Sequence, residues 1–239
     1  HEATVKISKH EGYTLFPFSL SHMFQIIDVK THFRMRPTKN NLIAIYGFSL
    51  LKLLNRIKNM VKERKITSEI ILKDVSEFDE RINTFWQNTK NGYNFIIEKN
   101  REYLNWRYCD PRSNLKGRYF VKQAERDGEI LGFIVLEVRE KGGYSEGYVA
   151  DLLALPDRTD VVRRLVEEAK LFFRESDVNV VHYRVVKNHN YQALFGEQGF
   201  IEIPSKIYLT LKFFYNKEKM KIIKNSQPSQ IHFNYGDYY

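Results

Sequence analysis

Residues 117–155 read GRYFVKQAERDGEILGFIVLEVREKGGYSEGYVADLLAL, and the pattern in this stretch decides the fold. Three runs rich in Val, Ile, Leu, Phe and Tyr, at 117–125, 129–139 and 146–155, are separated by polar or glycine-bearing turns, which predicts consecutive strands. Asp127-Gly128 stands between the first two. Both residue types tolerate the positive φ of a two-residue hairpin, so these strands are expected to be antiparallel neighbours.

Working outward, Thr159 and Asp160 offer caps for a helix running to 175, with Val161, Leu165, Ala169, Phe172 and Phe173 on one stripe. A further strand at 178–186, a short helix at 190–198 and a final strand or bent pair at 201–213 follow. Upstream, 69–75 is a short strand. Ser76 is a good N-cap for a helix to about 89 that carries Phe78, Ile82, Phe85 and Trp86 on one side, and 98–108 repeats the helical spacing. The order is helix, helix, three strands, helix, strand, helix, strand. It predicts an α+β layered fold whose mixed central sheet is antiparallel at first and acquires a crossover later.

The chain has 239 residues, enough for a sizeable core, and 14% aromatic residues to fill it, so wholesale disorder is excluded. A lone cysteine, Cys109, rules out an intrachain disulfide framework and makes a reducing, cytoplasmic setting the expectation. No apolar run approaches the ~18 residues of a membrane span, and no signal-peptide pattern is present. The chain begins at His1 without a Met, as a fragment or processed product would.

The formal charge is +9, but it is local: 30–65 hold ten basic residues against Glu63 alone, whereas 66–215 hold 22 basic and 23 acidic residues. Within the basic stretch, Leu50, Leu53, Leu54, Ile57, Met60 and Val61 recur at helical spacing behind Ser49. Residues 42–65 therefore read as a basic amphipathic helix, either packed on a neighbouring domain or touching an anionic surface peripherally. No zinc-finger spacing, basic region with heptads or ribonucleoprotein motif points to specific nucleic-acid binding. The seven histidines match no metal motif, so no metal is expected. The division expected is 1–29 as a packing segment or remnant, 30–65 as linker and basic helix, 66–215 as the folded domain, and 216–239 as an extension. No oligomeric state follows from the sequence.

Three local patterns resemble the Gcn5-related N-acetyltransferase (GNAT) superfamily. Residues 129–136, EILGFIVL, look like that family's third strand. Residues 148–157, YVADLLALPD, look like its fourth strand and the proline after it. Asn188, Phe195 and Gly199-Phe200 keep the spacing of its last helix. Asn105-Trp-Arg-Tyr108 is similar to a stretch in members with two such domains in tandem, in which case 1–29 would be the end of a truncated first domain.

The resemblance implies acetyl-CoA or another acyl-CoA as cofactor, with its pyrophosphate on the backbone amides of the helix that follows the fourth strand. The cofactor-binding residues it implies are Leu153, Leu155, Arg158, Thr159, Val161, Val162, Arg163 and Asn188. The turn at 156–162, PDRTDVV, departs from the family in having no glycine, and Asp160 brings a carboxylate to the phosphate position, unless it simply caps the helix. Phe195 stands where the family commonly has a tyrosine that protonates the leaving thiolate. Asp151 is the candidate general base, with Glu146 behind it, each also readable as a rim carboxylate paired with an arginine. Tyr103, Trp106 and Arg107 are candidates for an amine or amino-sugar pocket, though an aromatic stripe also serves as core. His189 reads as an exposed loop residue or a proton shuttle. The expected activity is acyl transfer to a small-molecule amine. The competing readings are a GNAT fold without catalysis, and a protein acting at a membrane surface through 42–65.

Overall fold

The computed structural model describes residues 13–37, 70–110, 119–203, 210–211 and 217–233, with the isolated positions 10 and 47. The basic amphipathic helix expected at 42–65 and the linker before it lie outside the described residues, apart from Gly47 and the first part of that linker. So do much of the final strand expected at 201–213 and the end of the chain.

In chain order the elements are β1 (Thr14–Leu15), β2 (Leu20–Ile26), α1 (Val29–Met35), β3 (Ile71–Val75), α2 (Arg81–Lys90), β4 (Phe95–Ile96) and α3 (Arg101–Leu104), which runs into a π-turn at Asn105–Cys109. There follow β5 (Tyr119–Arg126), β6 (Glu129–Lys141), β7 (Tyr144–Ala154), α4 (Thr159–Glu175), β8 (Val180–Val186), α5 (Asn190–Glu197) and β9 (Ile201–Ile203). β10 (Thr210–Leu211), α6 (Lys217–Lys224), a 3-10 turn at Pro228–Gln230 and β11 (Ile231–His232) follow among the described residues.

Seven strands form one sheet in the order β3-β5-β6-β7-β8-β2-β9. All neighbours are antiparallel except β7 and β8, which run parallel because α4 carries the chain back across the sheet. The hairpin expected at Asp127-Gly128 is present, with φ of 52° and 82° at its two residues. Helices cover both faces. α4 and α5 pack Val161, Leu165, Phe173, Leu194 and Phe195 against Ile134, Leu136 and Leu152. α2, α3 and the turn before α2 pack Ile82, Phe85, Leu104 and Phe78 against Phe133, Val135 and Leu153.

Two glycines set the spacing of these layers. A Cβ on Gly132 would lie 2.8 Å from the Leu153 carbonyl oxygen and 3.0 Å from a Val161 methyl, and one on Gly147 would lie 2.6 Å from the Phe173 ring. α4 can approach β6 and β7 this closely only because those positions have no side chain.

Residues 1–29, read above as a packing segment or remnant, contain β2, an interior strand paired along its length with β8 and, over His22–Phe24, with β9. Its sequence, LSHMFQI, has too few alternations to declare this; what fixes it is the partner strands. The helix expected from Ser76 begins instead at Arg81, because the Phe78 N–H donates to Asn105 Oδ1 (2.7 Å) and the preceding turn is held from outside. The extension joins the core: Ile223, Ile231 and Phe233 are buried there, and β11 pairs in parallel with β4.

Candidate functional site

The site is built on β7. A bulge where β7 crosses β6 leaves Ala150 without a partner, so Val149 faces Leu136 and Asp151 faces Val135. The extra residue turns Ala150 and Asp151 toward the same face, and Asp151 toward α3. β7 and β8 pair only from Glu146 to Val149 and from Val180 to Tyr183. Beyond that their carboxyl ends separate, at the one directly paired parallel neighbour pair of the described sheet. Open sheets bind ligands at such a gap between parallel strands.

The edge of β7 that faces the gap is occupied by the chain's own side chains. The Leu152 N–H donates to Asp151 Oδ1 (3.0 Å), and the Ala154 N–H donates to the Tyr191 hydroxyl (3.2 Å). His232 Nε2 lies 2.8 Å from the Leu152 carbonyl oxygen, which can only accept, so Nε2 carries the ring proton. The gap-facing amides are therefore those of Leu152 and Ala154, both already bonded. Leu153, expected to bind the cofactor, is paired with Phe133 of β6 and packs its side chain under α2.

A cavity of about 180 Å³ remains at the ends of these elements, lined by Leu155, Arg158, Thr159 and Val162 from the start of α4, and by His189, Asn190 and Tyr191 from the start of α5. Tyr93, Ser229 and Gln230 close its other side. Two helix N-termini converge here, an arrangement that favours negative charge. Burial raises the Tyr191 phenol to about 12, and the Tyr93 hydroxyl hydrogen-bonds to it. His189 is neutral: burial, and next the neighbouring His232, lower it to about 3, and its Nδ1 accepts the Tyr191 N–H (3.0 Å). It is the N-cap of α5, and it is buried rather than exposed. Asn188 sits outside the cavity in a left-handed turn, φ 66°.

Of the other cofactor candidates, Leu155, Arg158, Thr159 and Val162 line the cavity, whereas Val161 is in the core beneath it. Asp160 receives a bidentate pair from Arg158 (2.8 and 2.7 Å) and hydrogen bonds from the Asp160 and Val161 N–H groups. A carboxylate of the chain thus holds the anion position of α4. Arg158 first, with those amides, keeps it below the usual carboxylate range. Arg163 is held away by Glu197 (2.9 Å).

The candidate base Asp151 is wholly buried. Its Oδ2 accepts from Lys99 Nζ (2.5 Å), also wholly buried, and from the Tyr108 hydroxyl (2.9 Å). Burial lowers the Lys99 amine and, with Asp151 beside it, raises the Tyr108 phenol well above its ordinary value. Asp151 does not line the cavity. Glu146 lies toward the opposite end of β7, bound by Arg36 and the Tyr148 hydroxyl, so the two carboxylates do not form one site.

Tyr103 and Trp106 meet, ring centroids 5.7 Å apart, and Trp106, 62% exposed, borders an open groove with Ser76, Glu77, Glu102, Asn105, Cys109 and Asp110. Arg107 lies among Tyr108, Tyr119 and Tyr103 and does not line that groove. Burial pushes the Cys109 thiol up to about 11. Among the described residues no group of three His, Cys, Asp or Glu side chains is placed to hold a metal ion. None of the described helices is long and apolar enough to cross a membrane.

Lys99 and Tyr191 are not among the residues expected from sequence. Lys99 carried no signal, being one of many lysines. Tyr191 lies one helical turn before Phe195, and that spacing was a usable cue.

No protein-family model matches the chain, and no curated protein matches it. Among solved structures, an aminoglycoside acetyltransferase from an uncultured soil metagenomic sample, in complex with trehalose, superposes at TM-score 0.42 with 18% identity over 64% of this chain and 99% of that one. Saccharomyces cerevisiae N-myristoyltransferase with bound myristoyl-CoA gives 0.49 with 12% identity over 75% of this chain and 46% of that one. A ribosomal-protein-alanine N-acetyltransferase from Brucella melitensis biovar Abortus gives 0.45 with 11% identity over 60% and 99%. The described sheet, with its bulged β7 and the parallel β7–β8 pair joined through α4, is a mixed α+β layer covered by helices on both faces.

Proposed function

We propose that the chain is an N-acyltransferase that moves an acyl group from a coenzyme A thioester to a small-molecule amine at the cavity between β7, α4 and α5. The carrying observation is Tyr191, a protonated hydroxyl lining a cavity where two helix N-termini converge. When bound, the thioester supplies an acyl carbon to which the amine nitrogen bonds as the carbon–sulfur bond breaks. Tyr191 accepts the Ala154 N–H and keeps its own proton, which it can give to the departing sulfur. The amine's proton passes to water, since Asp151 is sealed against Lys99.

The residues fit such a ligand in part. The thioester end is served by Tyr191 and the α5 N-terminus. At the diphosphate end Arg158 and Arg163 are engaged with Asp160 and Glu197, but these pairs are partly exposed, and such pairs contribute only ~0–1 kcal/mol, so a phosphate can exchange into them. For the acceptor, the acidic groove beside the Trp106 face suits a cationic amine such as an amino sugar. The lone thiol Cys109 accords with a reducing, cytoplasmic setting.

Calorimetric titration with acetyl-CoA tests the reading, followed by thiol release on addition of amines. Micromolar to millimolar binding and amine-dependent thiol release are expected. A binding domain without catalysis is the second reading, favoured by the internally satisfied β7 edge and by Asp160 on the α4 amides. Absence of heat at millimolar ligand decides for it.

A further inference from the structure

The segment from Ser226 to Phe233 lies where the gap between β7 and β8 opens. Ile231 and His232 pair with Phe95 and Ile96, Phe233 sets its ring edge-on to Phe16 (centroids 4.9 Å), and His232 takes the Leu152 carbonyl. Ser229 and Gln230 wall the cavity. The space left, about 180 Å³, is below the ~300–1,000 Å³ of ordinary ligand pockets and far short of a pantetheine arm. An extended, amide-bearing ligand binds a strand edge through its backbone groups, and here one of those groups is held by His232.

We propose that the segment 226–233 is a built-in competitor for the acyl-CoA arm: it holds the β7 edge closed, and an acyl-CoA enters only when the segment withdraws. The inference rests on the acyltransferase reading above. Withdrawal takes the buried Ile231, His232 and Phe233 out of the core, whereas the backbone anchoring is light: the ladder to β4 is two residues long and is extended outward by Asn94, whose N–H donates to the Gln230 carbonyl (2.9 Å) and whose Nδ2 donates to Ser226 Oγ (2.9 Å). The Arg158–Asp160 and Arg163–Glu197 pairs exchange easily, so this segment is the element that governs entry. The ligand's apparent affinity is its intrinsic affinity scaled by the fraction of molecules in which the segment has left.

The test is a reversible tether. Asn94 and Gln230 lie opposite each other one step before the Phe95–Ile231 pair, and neighbouring strands stand ~4.8 Å apart, within the Cα range a disulfide accepts. In a Cys109→Ser background, Asn94→Cys with Gln230→Cys is titrated calorimetrically with acetyl-CoA, oxidised and then reduced. The oxidised form is expected to bind at least ~10-fold more weakly than the reduced form, with reduction restoring affinity. Equal affinities overturn the inference and leave the acyltransferase reading standing. No binding by either form or by the unaltered chain overturns both. Independently of any variant, hydrogen exchange on the unaltered chain is expected to show Ile231–Phe233 losing protection in saturating acetyl-CoA, and unchanged protection there overturns the inference.

Discussion

Lys99 Nζ lies 2.5 Å from Asp151 Oδ2, and neither side chain is exposed to solvent. An acid on a buried strand next to a bulge has the sequence appearance of a catalytic base. Here its charge is met by a buried amine and a phenol, and the cluster holds β7 to the segment leading into α3. Burying two ions costs free energy that a short ion pair only partly offsets, so the arrangement serves position more than stability.

Removing one partner strands the other. Asp151→Ala leaves Lys99 buried without its counter-ion and is expected to lower unfolding free energy by about 3–5 kcal/mol, with Lys99→Met alone similarly costly. The double variant Lys99→Met, Asp151→Ala is expected to lose much less than the sum. Urea denaturation of the three variants checks this, and additive losses would contradict a coupled pair.

Tyr191→Phe keeps the ring and removes the hydroxyl from the cavity. If the proton for the leaving sulfur comes from this group, kcat falls about 10²-fold or more with little change in acyl-CoA affinity. Stability falls by about 1–3 kcal/mol because the buried Ala154 N–H loses its acceptor. Stopped-flow thiol release alongside thermal unfolding separates the two effects.

Stability is expected to fall with acid in a defined window. Burial lowers His189 to about 3 and His232 to about 4, against an ordinary value of 6.5. Between about pH 6.5 and 4 the unfolded chain binds these protons and the folded chain does not. Stability therefore declines by about 1.4 kcal/mol per pH unit for each histidine as pH falls through that window, and their contribution levels off below the folded values. Denaturation midpoints from pH 7.5 to 4.5 measure it, and His232→Gln is expected to reduce the slope by about one proton.

Gly132→Ala puts a methyl against backbone, 2.8 Å from the Leu153 oxygen, where nothing can rotate aside. A loss of about 1–3 kcal/mol is expected. Gly147→Ala meets a ring instead, and Phe173 is locked in the core, so a loss of the same order follows. Wild-type stability in either variant would place α4 farther from the sheet.

If β2 is structural, Met23→Ala and Leu20→Ala, both in the core, each cost about 2–5 kcal/mol. Thermal unfolding reads this directly. A near-neutral result would return 20–26 to the status of a loosely packed segment.

Much of the fold was legible in local pattern. The strand alternation around Asp127-Gly128, the α4 stripe from Val161 to Phe173 and the Gly199-Phe200 stop each depend on residues within one or two turns of each other. Periodicity and turn chemistry report such relationships well. The site was less legible, because its contacts are long-range: Asp151 finds Lys99 52 positions away, and Leu152 finds His232 80 positions away. Nothing near Lys99 marks it as the lysine that enters the core.

The sequence by itself determined the element order from β3 to α5, the two-residue β4 excepted, the antiparallel hairpins and the crossover at α4, because each follows from near-neighbour sterics and apolar spacing. Only the tertiary structure decided that 20–26 would take a place between β8 and β9, that Asp151 would be sealed by Lys99, and that 226–233 would close the gap beside β7. The physical reason is the same in all three cases. Unpaired strand edges, buried charges and apolar side chains must find partners somewhere in the molecule, and which partner satisfies each one is settled by packing, not by spacing along the chain.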